Sequence, residues 1–303
     1  MFDSSQSVAQ ANPVRNERQY SNGVTEHRLN DEGSTLTDTE LDRISHEAKL
    51  RPLAVYELVR QEGEEELNRP LASLWWSGLA AGLAIGFSVY AKAALHAYLP
   101  DASWSHLVES WGYPVGFLIV ILGRLQLFTE ITLTATLPVL AQTRWRSLVA
   151  LLRLWTIVLA ANVVGTAIFA LGIAYDVLGA PKITQAAIAV SAPMLDHDPM
   201  AIFLRAILAG WLMATIVWVL PSAKKSAFMV ITVITYLISL FQLAHVVVGS
   251  VEAMILIGIG EKGLYEVVAG FYLPAIMGNI IGGAALFALI SYGQVFEQMA
   301  RRG

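Results

Sequence analysis

Two stretches, Gly123-Arg124-Leu125-Gln126-Leu127-Phe128-Thr129-Glu130 and Ser239-Leu240-Phe241-Gln242-Leu243-Ala244-His245, set polar and charged side chains inside runs otherwise built from Leu, Ile, Val, Ala and Phe. Six such apolar runs follow one another between residues 72 and 292. A charge or amide at membrane depth costs several kcal/mol unless it is paired or lines a wet cavity, so a break there marks a path through the bilayer. Breaks at corresponding places in two halves point to a central binding site between them.

Composition agrees with a membrane protein. The chain is 55% hydrophobic and 15% charged, against roughly 45–50% and 25% in soluble domains. The charge is concentrated before residue 71 and in short connections. Residues 1–36 are Ser-, Asn-, Gln- and Glu-rich without apolar period, which predicts disorder. Residues 37–70 carry Leu41, Ile44, Ala48, Val55, Leu58 and Val59 at helical spacing, with Pro52 between two short amphipathic helices. Residues 71–292 form the membrane domain, and 293–303 a cytoplasmic C-terminus. The predicted spans are 71–99, 115–140, 147–175, 200–220, 226–259 and 264–292, the second and fifth broken. Arg144, Arg146, Lys224, Lys225, Arg301 and Arg302 fall on one side of these spans, so the positive-inside rule puts both termini in the cytoplasm of a multi-pass inner-membrane protein.

The chain has no cysteine, which removes disulfides and thiolate chemistry. No nucleotide-binding loop, metal-ligand spacing or nucleophile–base pair is present, so no cofactor, metal or enzymatic activity is expected. The net charge of −4 argues against nucleic acid as a partner.

An internal repeat accompanies the breaks. Ala161-Asn162-Val163-Val164-Gly165-Thr166-Ala167 reads like Gly278-Asn279-Ile280-Ile281-Gly282-Gly283-Ala284, a displacement of 117 from Asn162 to Asn279. Thr129 and His245 are displaced by 116. Nearly equal offsets predict duplicated three-helix halves, inverted because each half has an odd number of helices. Asn162, Gly165, Asn279 and Gly282 are the expected helix-packing positions, the glycines admitting close backbone approach.

Pro114-Val115-Gly116-Phe117, Leu127-Phe128-Thr129-Glu130, His245 and Leu273-Pro274-x-x-x-Gly278-Asn279-Ile280-Ile281-Gly282-Gly283 together resemble the formate/nitrite transporter family, over roughly residues 69–292. The extended acidic N-terminus is most similar to its YfdC-like branch. The resemblance implies an all-α, aquaporin-like protomer with a pore through each subunit of a homo-pentamer. It implies as substrates small monovalent weak-acid anions such as formate, nitrite, lactate or hydrosulfide. It matches Thr129 to the loop threonine and His245 to the central histidine.

The residues support those roles on physical grounds. An imidazole among Leu243 and Val246–Val248 is desolvated, and its neutral form donates a hydrogen bond to an anion or relays a proton. The Thr129 hydroxyl meets the substrate beside it. Leu127, Phe128, Ile238 and Leu243 are candidate constrictions on either side, and the amide of Gln242 requires partners at this depth. Arg124 and Glu130 either pair across the break or leave Arg124 to attract anions. Glu252, seven residues after His245, shares its helix face. Against the family pattern, Gly210 replaces an asparagine, Met194 and Glu65 stand near expected lysines, and Ala244 replaces an acid before the histidine. A vestibule without lysines concentrates anions poorly. A pore for a neutral or weakly basic solute, or a non-transporting membrane sensor, therefore remains as an alternative.

Overall fold

In the computed structural model, residues 50–142 and 144–300 are described, and they contain helices and no strand. Residues 1–36 and the first of the two amphipathic helices expected in 37–70 lie outside them. The second of those helices is α1, Pro52–Asn68, which begins at the proline that fixes its first turn. Val55, Tyr56 and Val59 are its buried stripe.

Then follow α2 (Leu71–Tyr98), α3 (Ser105–Leu122), α4 (Phe128–Ala141), α5 (Trp145–Ala174), α6 (Pro181–Leu195) and α7 (Pro199–Ser222). The chain ends with α8 (Ala227–Leu240), α9 (Val246–Gly258) and α10 (Leu264–Phe296). Five of these, α2, α3, α5, α7 and α10, are long and apolar enough to cross a bilayer unaided. The second and fifth spans are the helix pairs α3/α4 and α8/α9, which completes two three-helix halves.

Two boundaries differ from the sequence reading. The second span begins at Ser105 rather than Val115, because His96 of α2 and His106 flank the Glu109 carboxylate and allow this polar turn to be buried. The connection between the third and fourth spans holds α6, which packs on α2 and α9.

The halves superimpose in detail at their breaks. Leu125 N donates to Val120 O and Leu243 N to Ile238 O, each at 2.9 Å. Arg124 and Gln242 both adopt positive φ, 53° and 50°. This is the left-handed helix stop usually taken by glycine, adopted by two non-glycine residues 118 positions apart. At about 1.5 Å per residue the 18 residues of α3 traverse some 27 Å before the chain turns back, so α4 restarts well inside the bilayer.

A buried asparagine holds each turned-back segment. Asn162 Oδ1 accepts from Phe128 N, and its Nδ2 donates to Gln126 O and Gly78 O. Asn279 Oδ1 accepts from Val246 N, and its Nδ2 donates to Ala244 O and Ala206 O. Both side chains thus satisfy three main-chain groups that no water reaches. Expected as helix-packing residues, they also clamp the breaks. Gly165 and Gly282 are the contact points of the helix crossings, where an added Cβ would strike Leu79 O and Ile207 O respectively. Gly210 fills the same role against Asn279 O, so it is a packing position.

Candidate functional site

The half-helices α4 and α9 start where the two breaks meet. His245 is the N-cap of α9, its Nδ1 accepting the Val248 N–H at 3.3 Å. That bond assigns the ring proton to Nε2. Nε2 lies 2.7 Å from Thr129 Oγ1, so Nε2–H donates to the hydroxyl oxygen. The hydroxyl keeps its own hydrogen to donate, and no other partner for Thr129 Oγ1 occurs among the described residues. Thr129 is fully buried and His245 nearly so. Phe117 stacks edge-on against the imidazole at 5.0 Å between ring centres and fixes its plane. Two neutral donors, each attached to a helix whose N-terminal end carries partial positive charge, therefore converge on one point.

A cavity of about 150 Å³, lined by Lys92, His96 and Glu109 at its far end, reaches inward to His245. Ile238, Leu243 and Gln242 line it beside the imidazole, as does Glu252. Gln242 is held through its backbone: Arg205 donates to its carbonyl at 3.0 Å. Leu127 and Phe128 are buried next to the site in α4 and its cap, where the Phe128 ring meets Trp155.

Sequence reasoning missed a cation here. Lys92 of α2 lines the cavity, so the vestibule is not without a lysine, and the Met194 substitution does not remove positive charge from it. Also missed were His96, His106 and Glu109 on the same wall. The signal was available as an i,i+4 pair (Lys92, His96) and an i,i+3 pair (His106, Glu109) at the ends of consecutive helices.

The expected Arg124–Glu130 pair does not form. Arg124 Nη2 instead lies 3.4 Å from Glu62 Oε1 of α1, and both side chains are largely solvent-accessible (84% and 49%), so the bridge contributes little. Arg124 sits just beyond the C-terminal end of α3, far along that helix from the His106–Glu109 end. Glu130 is half-buried beneath α1, with Glu62 and Glu66 as its electrostatic neighbours. Burial raises the Glu62 carboxyl above its ordinary range, with Arg124 opposing. Among the described residues no group of three His, Asp or Glu side chains has metal-binding geometry.

The family model described as formate/nitrite transporter matches residues 53–293. Among individual proteins, the chain is 39% identical to the inner membrane protein YfdC of Escherichia coli (strain K12), over 83% of this chain and 81% of that one. It is 27% identical to the uncharacterized transporter YrhG of Bacillus subtilis (strain 168), over 80% of this chain and 92% of that one. Among solved structures, a pentameric formate channel with formate bound matches with a TM-score of 0.63 at 17% identity, covering 75% of this chain and 98% of that one. An FNT family ion channel matches with a TM-score of 0.67 at 19% identity, covering 79% and 98%.

Proposed function

Because the chain belongs to the formate/nitrite transporter family, we propose that it carries small monovalent weak-acid anions, or the acids themselves, past a central site formed by Thr129 and His245. The observation that carries this reading is the 2.7 Å contact between Thr129 Oγ1 and His245 Nε2 at the meeting point of two half-helices. A solute arriving from the cavity meets the imidazole first and, on parting the pair, finds both the His245 Nε2–H and the Thr129 O–H. Both are donors. They suit an oxygen or sulfur lone pair and give nothing to a cation. Being neutral, they bind the solute without holding it at a buried counter-charge.

His245 acts as donor rather than proton relay. A second ring proton would sit on Nδ1 against the Val248 N–H and break the cap of α9. Ile238 and Leu243 form an apolar constriction on the cavity side, Leu127 and Phe128 one on the other. Lys92 supplies the positive potential that draws an anion into the vestibule, which favours anions over a neutral or weakly basic solute. The likeness to a pentameric formate channel supports a homo-pentamer with one pore per subunit, and the relative named for the inner membrane supports that location; the basic connections at Arg144, Arg146, Lys224 and Lys225 are the ground for placing both termini in the cytoplasm.

The test is flux into proteoliposomes of formate, nitrite, lactate and hydrosulfide, with ammonia and water as controls. Transport of at least one acid, lowered in Thr129→Val with the pentamer intact by size exclusion, is the expected result. Ammonia or water flux alone would overturn the reading in favour of a neutral-solute pore, and binding without flux would favour a sensor.

A further inference from the structure

Outside the central pair, the vestibule wall holds a connected group of titratable side chains. His96 Nδ1 lies 2.6 Å from Glu109 Oε2 and His106 Nδ1 2.9 Å from Glu109 Oε1, with Glu109 only 7% exposed. His106 Nε2 is 3.2 Å from the Leu240 carbonyl at the break after α8. A carbonyl only accepts, so His106 Nε2 carries a hydrogen. Its Nδ1 then faces a carboxylate, and the contact is attractive only if a further proton lies between them, on Nδ1 or on Oε1. The group therefore holds one proton more than a carboxylate with two neutral imidazoles. His96 differs: in its neutral form Nδ1–H satisfies Oε2, and among the described residues Nε2 has no partner within the cavity it lines. Of the group, His96 is the member with a nitrogen open to the vestibule.

We propose that His96–Glu109–His106 is a proton-loading site, which hands a proton to a weak-acid anion in the vestibule before the solute reaches the Thr129–His245 constriction. This rests on the transport reading above. The step balances simply. The Nε2–H bond of His96 imidazolium breaks, its electron pair remains on Nε2, and an O–H (or S–H) bond forms on the anion. The acid moves inward, and neutral His96, still bonded through Nδ1–H to Glu109, takes a proton back from water at the cavity mouth. Glu109 stabilises the charged ring, and His106 keeps the far carboxylate oxygen occupied, which holds Glu109 in place. The other ionisable groups on this cavity are Lys92 of α2, Tyr113 of α3, His197 before α7, His245, and Glu252 of α9. Lys92 brings the anion near, while α6 and α8 contribute no ionisable side chain to this wall.

Two measurements on the full-length pentamer in lipid separate this proposal from the transport reading. Histidine-selective 15N solid-state NMR reads the group without any solute. The expected spectrum has a proton shared between His106 Nδ1 and Glu109 and an N–H at His96 Nε2 that exchanges with solvent, assigned by loss of signals in His96→Asn and His106→Asn. Formate and nitrite flux against external pH reads delivery. A single-proton donor loses occupancy about tenfold for each unit by which the pH rises above its midpoint. Wild type is expected to follow that slope, and His96→Asn, which keeps an N–H for Glu109 but cannot titrate, to lose most of it. Glu109→Gln preserves a neutral hydrogen-bonded network, serves if the asparagine variant does not fold, and, by removing the charge that stabilises the His96 imidazolium, should lower flux at each pH along that slope. An unshared His106 proton, or an unchanged profile in well-folded His96→Asn, overturns the proposal. No formate or nitrite flux in wild type overturns delivery together with the transport reading, whereas a failed NMR signature with intact flux overturns the loading site alone.

Discussion

Replacing Asn279 by leucine keeps the branching at Cγ and removes every hydrogen bond it makes. Three main-chain groups lose their partner: Val246 N, Ala244 O and Ala206 O, all bonded at 2.8–2.9 Å. Asn279 is fully buried, so no solvent replaces it. At roughly 1–3 kcal/mol for each orphaned buried group, the loss is about 3–9 kcal/mol. A chain of this size shifts its melting point by about 2–4 °C per kcal/mol, so the pentamer should melt at least about 6 °C lower. The repeat adds a control, because Asn162→Leu removes the same three kinds of bond at Phe128 N, Gln126 O and Gly78 O and should cost a similar amount. The two clamps share no partner, but they hold segments joined by the Thr129–His245 contact, so the double variant should depart from additivity. Asn279→Asp is the sharper substitution, since it keeps an acceptor for Val246 N but turns a second acceptor toward two carbonyls. Melting is followed by size-exclusion chromatography of heated samples. A melting point for Asn279→Leu within about 2 °C of wild type would falsify the clamp.

Thr129→Val removes the hydroxyl of the central pair at nearly constant volume, and a lost hydrogen bond to the solute, about 0.5–1.5 kcal/mol, should lower flux roughly two- to tenfold; Thr129→Ser should restore it, and failure of serine to do so would count against a hydrogen-bonding role. His245→Asn keeps an acceptor for Val248 N but its amide ends short of Thr129, so it should lower flux while leaving the pH profile of the remaining flux unchanged, and His245→Leu, which also loses the cap, should fall further; a flattened profile in His245→Asn would restore the relay mechanism. Arg124→Ala should leave the pentamer intact because its bridge to Glu62 is exposed, and Arg124→Gly should stabilise by up to about 1 kcal/mol by relieving the positive φ, both read as melting points; loss of the pentamer in Arg124→Ala would show the bridge to be structural after all.

What could be read from sequence was what duplication writes twice. The interrupted runs and the Asn-x-x-Gly-x-Ala segments each recur, so a single chain carries its own comparison. Contacts between unlike and distant positions left no such trace. Glu109 made Ser105–Gly112 look too polar to enter the bilayer until His96 supplied its partner from the preceding helix. Arg124 was matched to the nearest acid, whereas Glu62 reaches it from a helix 62 positions earlier. Lys92 was passed over as a lone charge in an apolar run, since its orientation toward the vestibule depends on how α2 packs.

The two halves are alike in scaffold and unlike in chemistry, and the difference lies at one register. The helix stops and the clamped backbone groups of the breaks recur at an offset of 118, from Arg124 to Gln242 and from Phe128 N to Val246 N. At that offset His245 corresponds to Leu127, the cap residue before α4, and Thr129 corresponds to Val247. The central contact therefore joins two non-equivalent positions: a cap side chain from one half and a first-turn side chain from the other. A symmetric pair of histidines would place two bulky rings and four nitrogens in a space the repeat makes narrow. Leucine at 127 leaves room for one imidazole to reach across to one hydroxyl. Because His245 borders the cavity while Thr129 is sealed behind it, a solute arriving from the vestibule meets the ring first and must part the pair to go on. The scaffold brings two helix starts to a point, and the break in its symmetry makes that point a neutral pair of donors with one side open.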